Sequence, residues 1–540
     1  MVGAPVYTAD ASRRWAEAVA VRAGRIVAVG AEPEVAALRG PATRVLRLRG
    51  GMVLPGFQDA HVHPSAGGLE LLRCTLHELE PAAYQATVAG YAADHPAAPW
   101  VLGGGWVMDA FPGGAPHRAG LDAVVADRPV YLESSDGHSA WVNGAALALA
   151  GVTAATPDPP RGRIERDAGG EPTGTLHEHA MALVGDLVPD PTPDELRRGI
   201  ELGQAHLHRL GVTAWQDASV DAARLAAYRE LAERDALTGR VVAAIGWDVE
   251  AGLAQLPEVR ELRRGATVGR LRAGAVKLFQ DGVFENRTAA MLEVYLDGDG
   301  RPTGNRGIGM LPADELATVV TALDRDGFDV HVHAIGDRAV RETLDAFQAA
   351  AEANGRRDAR HQIAHLQFVH PDDRRRFRRL GVIANAQPFW ACLDGYMREL
   401  TLPFLDPERA GWQYPWASLR RAGAVLAFGS DWTVSTANPL LEMEVAVTRV
   451  APSDRRAEPF LPGERLDLPA ALDAFTVGSA YALRLEADSG SIEPGKLADL
   501  AVLDRDPFDP DAGPVGDARV LATLVAGHPV HADPGLDLTG

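Results

Sequence analysis

The sequence of 540 residues predicts an α/β protein: a TIM (β/α)8 barrel with a small composite β-sandwich built from the N- and C-terminal segments. Three observations carry this. Eight short apolar runs, each ending in a polar or glycine-bearing turn, are spread through the middle of the chain. Most are separated by stretches of helical periodicity. The two ends, unlike the middle, read as hairpins with turns between them.

At the N-terminus, WAEAVAVRAGRIVAVG carries a hairpin signal around Ala23-Gly24, and RVLRLRGGMVLPG continues in the same β-rich style. The C-terminal runs SGSIEPGKLADLAVLD and VLATLVAGHPV echo it. Two all-β pieces at opposite ends pair most simply with each other, which assigns residues 1–53 and 485–540 to the sandwich and 54–484 to the barrel. The first sandwich strand reads as short, around Val6 to Thr8.

The eight barrel runs are Met52 to His61, Val212 to Ser219, Val241 to Asp248, Ala275 to Gly282, Asp329 to Asp337, His361 to Gln367, Val382 to Pro388 and Val425 to Trp432. Stretches such as DELATVVTALDRDGF and RAVRETLDAFQAAAEANG supply the helices between them. Strands alternating with helices imply βα units and a parallel sheet. One segment, about 64–202, breaks the rhythm between the first and second runs. An insertion after a barrel strand falls on the C-terminal face, where such barrels carry their sites.

A hydrophobic share of 46% with 23% charged residues is ordinary for a globular enzyme. Two cysteines, Cys74 and Cys392, exclude a disulfide framework and a cysteine-rich zinc module, and suit a reducing cytosol. The opening MVGAPVYTADASRRW has no apolar signal region, and no apolar run reaches about 18 residues, so a cytoplasmic location with no membrane partner is expected. A net charge of −20 repels phosphate backbones, which argues against nucleic acid and leaves a small-molecule substrate as the expected partner. Whether the chain works alone or as a homodimer is open at this stage.

Of 53 basic residues only Lys277 and Lys496 are lysine. A buried amine can lose its proton, act as a nucleophile or bind CO2 as a carbamate, and a guanidinium can do none of these. Base composition accounts for scarce lysine equally well, and a buried Lys277 could instead pair with a carboxylate such as Asp281.

Placed on the strand ends, the unusual residues line up. His61 and His63 form an H-x-H at the end of the first strand, and alternate strand residues point the same way. Lys277 follows on the fourth strand, His333 on the fifth, His365 on the sixth and Asp431 at the end of the eighth. Such a set makes a metal site. It can hold one or two divalent ions, zinc being the first expectation, at about 3.5–4 Å when paired. A carbamate on Lys277 offers the two oxygens that a shared ligand needs. The ions would polarise a carbonyl and lower the pKa of a bridging water, with Asp431 as general base toward the leaving nitrogen. His331 and His361 share faces with His333 and His365; in each pair the member nearer the strand exit is taken as the ligand.

These segments resemble the amidohydrolase superfamily, in particular its family 3, which includes the N-substituted formamide deformylases. The residues that carry the resemblance are LPGFQDAHVHP, DGHSAWVNGAAL, VKLFQDG, HAIGDRAV, IAHLQ, AFGSDW and EPGKLADLAVLD, spread from Leu54 to Asp504. The resemblance implies metal ligands at His61, His63, carboxylated Lys277, His333, His365 and Asp431, and the composite sandwich. Thr433 stands where the family's GSDWP has proline, Asn438 replaces a nearby aspartate, and Pro116-His117-Arg118 replaces P-T-R. These departures bear on the substrate rather than on hydrolysis. Lys496, in the sandwich turn, reads as structural.

His138 is the further catalytic candidate, bonding the substrate or a developing oxyanion, with loop capping as the alternative. Glu178 and Asp281 are polar candidates near the site. Trp106, Phe111, Trp141, Phe284, Trp390 and Trp432 are candidates to wall an apolar pocket. The leading function is hydrolysis of a C–N bond in a formamide-like or cyclic amide. The rivals are a deaminase or ester or carbamate hydrolase on the same centre, and a catalytically silent metal-binding regulator.

Overall fold

The computed structural model describes residues 1–48, 51–77 and 79–536. Arg49 and Gly50 of the RVLRLRGGMVLPG run, and the last four residues of the predicted sandwich, lie outside them.

Eight parallel strands form the barrel: β1 (Phe57–Val62), β2 (Val212–Val220), β3 (Arg240–Gly246), β4 (Leu271–Phe279), β5 (Asp329–Ala334), β6 (Gln362–His365), β7 (Ile383–Ala386) and β8 (Val425–Phe428). They hydrogen-bond in chain order. The ends of the sheet meet just past the strands, where Asp431 N donates to His61 O at 2.7 Å. Gly429 permits this approach, because a Cβ there would overlap the His61 backbone. Strands covered on both faces read as near-continuous apolar runs. The predicted helical stretches form as Ala313–Arg325 and Asp337–Asn354, burying Leu316, Val319, Val320 and Leu323 from the first and Val340, Leu344 and Phe347 from the second.

The run predicted as one strand from Met52 to His61 is two. Met52–Pro55 pairs antiparallel with Leu500–Leu503 in the terminal sheet, and only Phe57–Val62 enters the barrel. Hydrophobic alternation reports that a strand is buried, not which sheet buries it, so the division at Gly56 was invisible to periodicity.

The two ends do combine. Val2–Tyr7, Trp15–Arg22, Arg25–Gly30 and Met52–Pro55 join Leu500–Leu503, Val520–Val525 and His528–Ala532 in one seven-stranded sheet. The first strand is longer than the expected Val6 to Thr8. The sheet folds over on itself: Ile26 N donates to Lys496 O at 2.8 Å, and Ala498 N to Gly24 O at 2.9 Å. Val6, Val19, Ile26, Leu500, Val502 and Leu524 fill the core between its halves. Lys496 Nζ bonds Ser491 Oγ at 2.7 Å and lies 3.5 Å from Glu493, a local role in that turn.

The insertion is a six-stranded cap, with strands in the order Gly162–Arg166, Pro172–Glu178, Ser139–Val142, Val130–Ser134, Val101–Trp106 and Cys74–Thr75. It ends before the expected Leu202. Helix Pro193–Arg209, opened by a Thr192–Glu195 capping box, buries Leu196, Ile200 and Leu207 in the barrel's core and belongs to the barrel layer.

Candidate metal centre and cavity

All six predicted metal-site residues converge at the C-terminal end of the barrel. Asp431 Oδ1 lies 3.2 Å from His61 Nε2 and 3.1 Å from His63 Nε2. These three residues hold their donor atoms within 4.8 Å of one another. Asp431 Oδ2 is 3.8 Å from His365 Nδ1, and the His365 ring centroid lies 4.4 Å from that of His333. Lys277 Nζ is 3.4 Å from His61 Nε2. Strand register produces this: Lys277 is opposite His331, Phe279 opposite His333, and Ala334 opposite His365, so each successive strand brings its polar residue to the same rim.

Two atoms in the cluster, Asp431 Oδ1 and His365 Nδ1, are buried without a hydrogen-bond partner. Buried polar atoms are almost always satisfied, so a pair left open beside imidazoles and a carboxylate fits a missing cation. The residues therefore fit a divalent metal. Burial, reinforced by neighbouring positive groups, pushes His61, His333 and His365 well below the ordinary imidazole range and keeps them neutral, as ligands must be. Burial also pushes the Lys277 ammonium down to about 7. Burial alone would raise the Asp431 carboxyl, but His63 and the other positive neighbours hold it below its usual value. Asp431 and His365 both take left-handed backbone angles, φ 54° and 77°, rare for residues with a Cβ and concentrated at functional sites.

Asp281 does not pair with Lys277. It accepts from the backbone N–H groups of Ala290, Ile335 and Gly336 at 2.8–3.0 Å and lies 3.6 Å from His333 Nε2. The set-aside histidines are occupied elsewhere. His331 Nε2 sits 2.8 Å from His61 Nδ1, with its other nitrogen on Gln216, so it supports His61 from beneath. His361 Nδ1 accepts from Val330 N, and its Nε2 lies 3.3 Å from Asp324.

A cavity of about 670 Å³ opens over the centre, roofed by the cap. His138 reaches into it, with Nδ1 2.9 Å from Glu178 Oε2. Burial opposes a charge on His138, yet Glu178 raises the imidazole to about 9. Of the six aromatic residues expected along the wall, only Trp390 lines the cavity; it stacks on His365. Trp106, Trp141 and Phe284 are buried in the core beneath the cap, with Phe111 packed against it, and Trp432 stacks on His206. Trp247, Phe279, Phe389, Tyr396 and Tyr414 take their places. The missed members lie at the end of β4 (Phe279), in short helical turns (Phe389 and Tyr396) or on loops (Trp247 and Tyr414), where no periodicity tells pocket from core.

Sequence reasoning also missed the supporting polar layer. Asp59 accepts from Ser430 Oγ at 2.6 Å and from His61 N at 3.0 Å, tying β1 to the loop that carries Asp431. Gln387 accepts from His365 N at 2.9 Å and bonds Asn385, which in turn bonds Gln362. The available signal was period two: Asp59 precedes His61 by two, and Asn385 and Gln387 alternate along an apolar strand.

The model of the Amidohydrolase family matches residues 44–531. Protein LONG AFTER FAR-RED 3 of Arabidopsis thaliana is 33% identical, over 97% of this chain and 89% of its own length. The N-substituted formamide deformylase of Arthrobacter pascens is 29% identical, over 98% and 97%. An uncharacterized metal-dependent hydrolase from Pyrococcus furiosus, 28% identical, matches with a TM-score of 0.72 over 94% of this chain and 99% of that one. Fold, donor set and relatives together define a metal-dependent hydrolase. The chain belongs to the amidohydrolase family.

Proposed function

We propose that this hydrolase cleaves the C–N bond of a formamide-like or cyclic amide. One observation carries the reading: Asp431 presents an unpartnered carboxylate oxygen between His61 and His63, on the floor of a cavity that also holds Lys277. The similarity to an N-substituted formamide deformylase supports an amide as substrate.

His61, His63, His333, His365, Asp431 and Lys277, the last as a carbamate, would hold one or two divalent ions, zinc first among them. When bound, such an ion supplies Lewis-acid polarisation of the substrate carbonyl and acidifies a water. Asp431 accepts a proton from the attacking water and returns it to the departing nitrogen, which leaves as an amine. His138 donates from Nε2 to the oxygen that gains negative charge. Trp390, Phe389 and Trp247 contact the apolar substituent on nitrogen. The cap covers the cavity and limits competing water.

The test is turnover of p-nitroformanilide, read as released p-nitroaniline, by protein loaded with zinc, together with a panel of cyclic amides, esters, carbamates and aminopurines. Amide cleavage is expected to lead the panel by at least about tenfold in kcat/KM. Faster ester, carbamate or amino-group hydrolysis would transfer the reading to those reactions. No turnover of any member by a metal-loaded protein would favour the silent regulator.

A further inference from the structure

We propose that Glu178 is a positioning residue for His138: it fixes the imidazole over the metal-site residues by accepting from Nδ1, which leaves Nε2 for the substrate. The proposal rests on the reading in which His138 contacts substrate.

Glu178 comes from the last residue of a cap strand, Pro172–Glu178, while most of what seats it comes from the barrel. Its Oε2 lies 2.9 Å and its Oε1 3.1 Å from His138 Nδ1. Oε1 also accepts from Thr288 Oγ1 at 2.7 Å and Asn286 Nδ2 at 3.2 Å, both on the segment that follows β4. The side chain is only 5% exposed, so every lone pair it uses is used inside the protein. The carboxylate thus ties a cap histidine to the barrel at one point.

The backbone argues that this side chain is wanted there. Glu178 has φ 51° and ψ −131°, a region that suits glycine and strains other residues. A glycine would relieve the strain; a glutamate adds only its carboxylate. The opposite wall is shaped to receive it. A Cβ on Gly282 would overlap both Glu178 Oε1 and Thr288 Oγ1. Gly282 O is also 3.2 Å from His333 Nε2. One short loop therefore sets both His333 and the carboxylate that orients His138, whose rings lie 5.0 Å apart.

A buried carboxylate between His138, Thr288 and Asn286 could instead serve only to clamp the cap. E178Q separates the two roles. Its amide oxygen takes the Oε1 position, where Thr288 and Asn286 donate, and its NH2 faces His138 Nδ1. Nδ1 can then no longer donate to residue 178, so the charge-assisted bond that holds the ring is lost while the clamp to the barrel persists.

The experiment is a double-mutant cycle on the zinc-loaded full chain with p-nitroformanilide: E178Q, H138A and the pair, each checked for metal content and melting temperature. E178Q is expected to lower kcat at least tenfold with KM within about threefold, and to change kcat less than twofold once His138 is alanine. An equal fall in both backgrounds, or none in either, overturns the proposal. If H138A alone leaves kcat unchanged, the contact of His138 with substrate fails, whatever Glu178 does. Crystal structures of the parent and E178Q proteins give a readout independent of turnover: the His138 ring should rotate or split while His333 stays in place. An unmoved ring overturns the proposal. Should E178Q not fold, T288V, which removes one donor to the carboxylate, takes its place in the same cycle and the same structural comparison.

Discussion

Lys277 Nζ lies 3.4 Å from His61 Nε2 with 1% of the residue exposed, and among the described residues no carboxylate forms an ion pair with it. A buried, unpaired ammonium is expensive, and the amine answers by giving up its charge more readily than an exposed lysine does. A neutral amine is the form that can add CO2, releasing a proton, to give a carbamate.

Replacing that amine should therefore disable the centre. Lys277→Arg and Lys277→Ala are both expected to lower metal content by at least tenfold at equal free zinc, and p-nitroformanilide turnover by about a hundredfold or more. Elemental analysis of dialysed protein reads the first. Full zinc occupancy in Lys277→Arg would defeat the bridging role, since a guanidinium forms no carbamate.

Asp431→Asn keeps the shape of the side chain but removes its ability to take a proton. Hydrolysis should fall by about 10²–10⁴-fold, well beyond any accompanying fall in zinc content, while the fold persists. Unaltered kcat would place the general base elsewhere.

Metal removal should show in stability as well as in activity. A ligand present at about 100 times its Kd stabilises the folded state by about 2.7 kcal/mol. Dialysis against a chelator is expected to abolish turnover and lower the melting temperature by several degrees, with both restored by zinc. Identical melting curves before and after metal removal would count against a resident ion.

Away from the site, Asp324 predicts a pH effect. Burial alone would raise its carboxyl, but His361, Asn354 and Arg357 hold it well below the usual carboxylate range. A carboxyl depressed in the folded state stabilises fully above its unfolded pKa, about 3.9, and loses that contribution as pH falls toward the folded value. Asp324→Asn should cost about 1–3 kcal/mol at pH 7, and the gap to the parent protein should narrow below about pH 4. Urea titrations at pH 7 and pH 3.5 measure it, and a constant gap would show that charge plays no part.

Much of this molecule was legible in its sequence, for a physical reason. Buried parallel strands and their covering helices impose local hydrophobic periods, so the barrel strands and the helices at Ala313–Arg325 and Asp337–Asn354 could be read without tertiary information. The H-x-H of His61 and His63, the isolated Lys277 and the strand-end His333, His365 and Asp431 stood out as polar residues where apolar ones are the rule. The tertiary structure alone decided what depends on neighbours distant in the chain. It divided Met52 to His61 between two sheets, and chose Trp247, Tyr396 and Tyr414 over Trp106 and Trp141 as cavity wall. It also brought Glu178 from the cap against Thr288 and Asn286 of the barrel. Periodicity records that a residue is buried; only the packed chain determines against what.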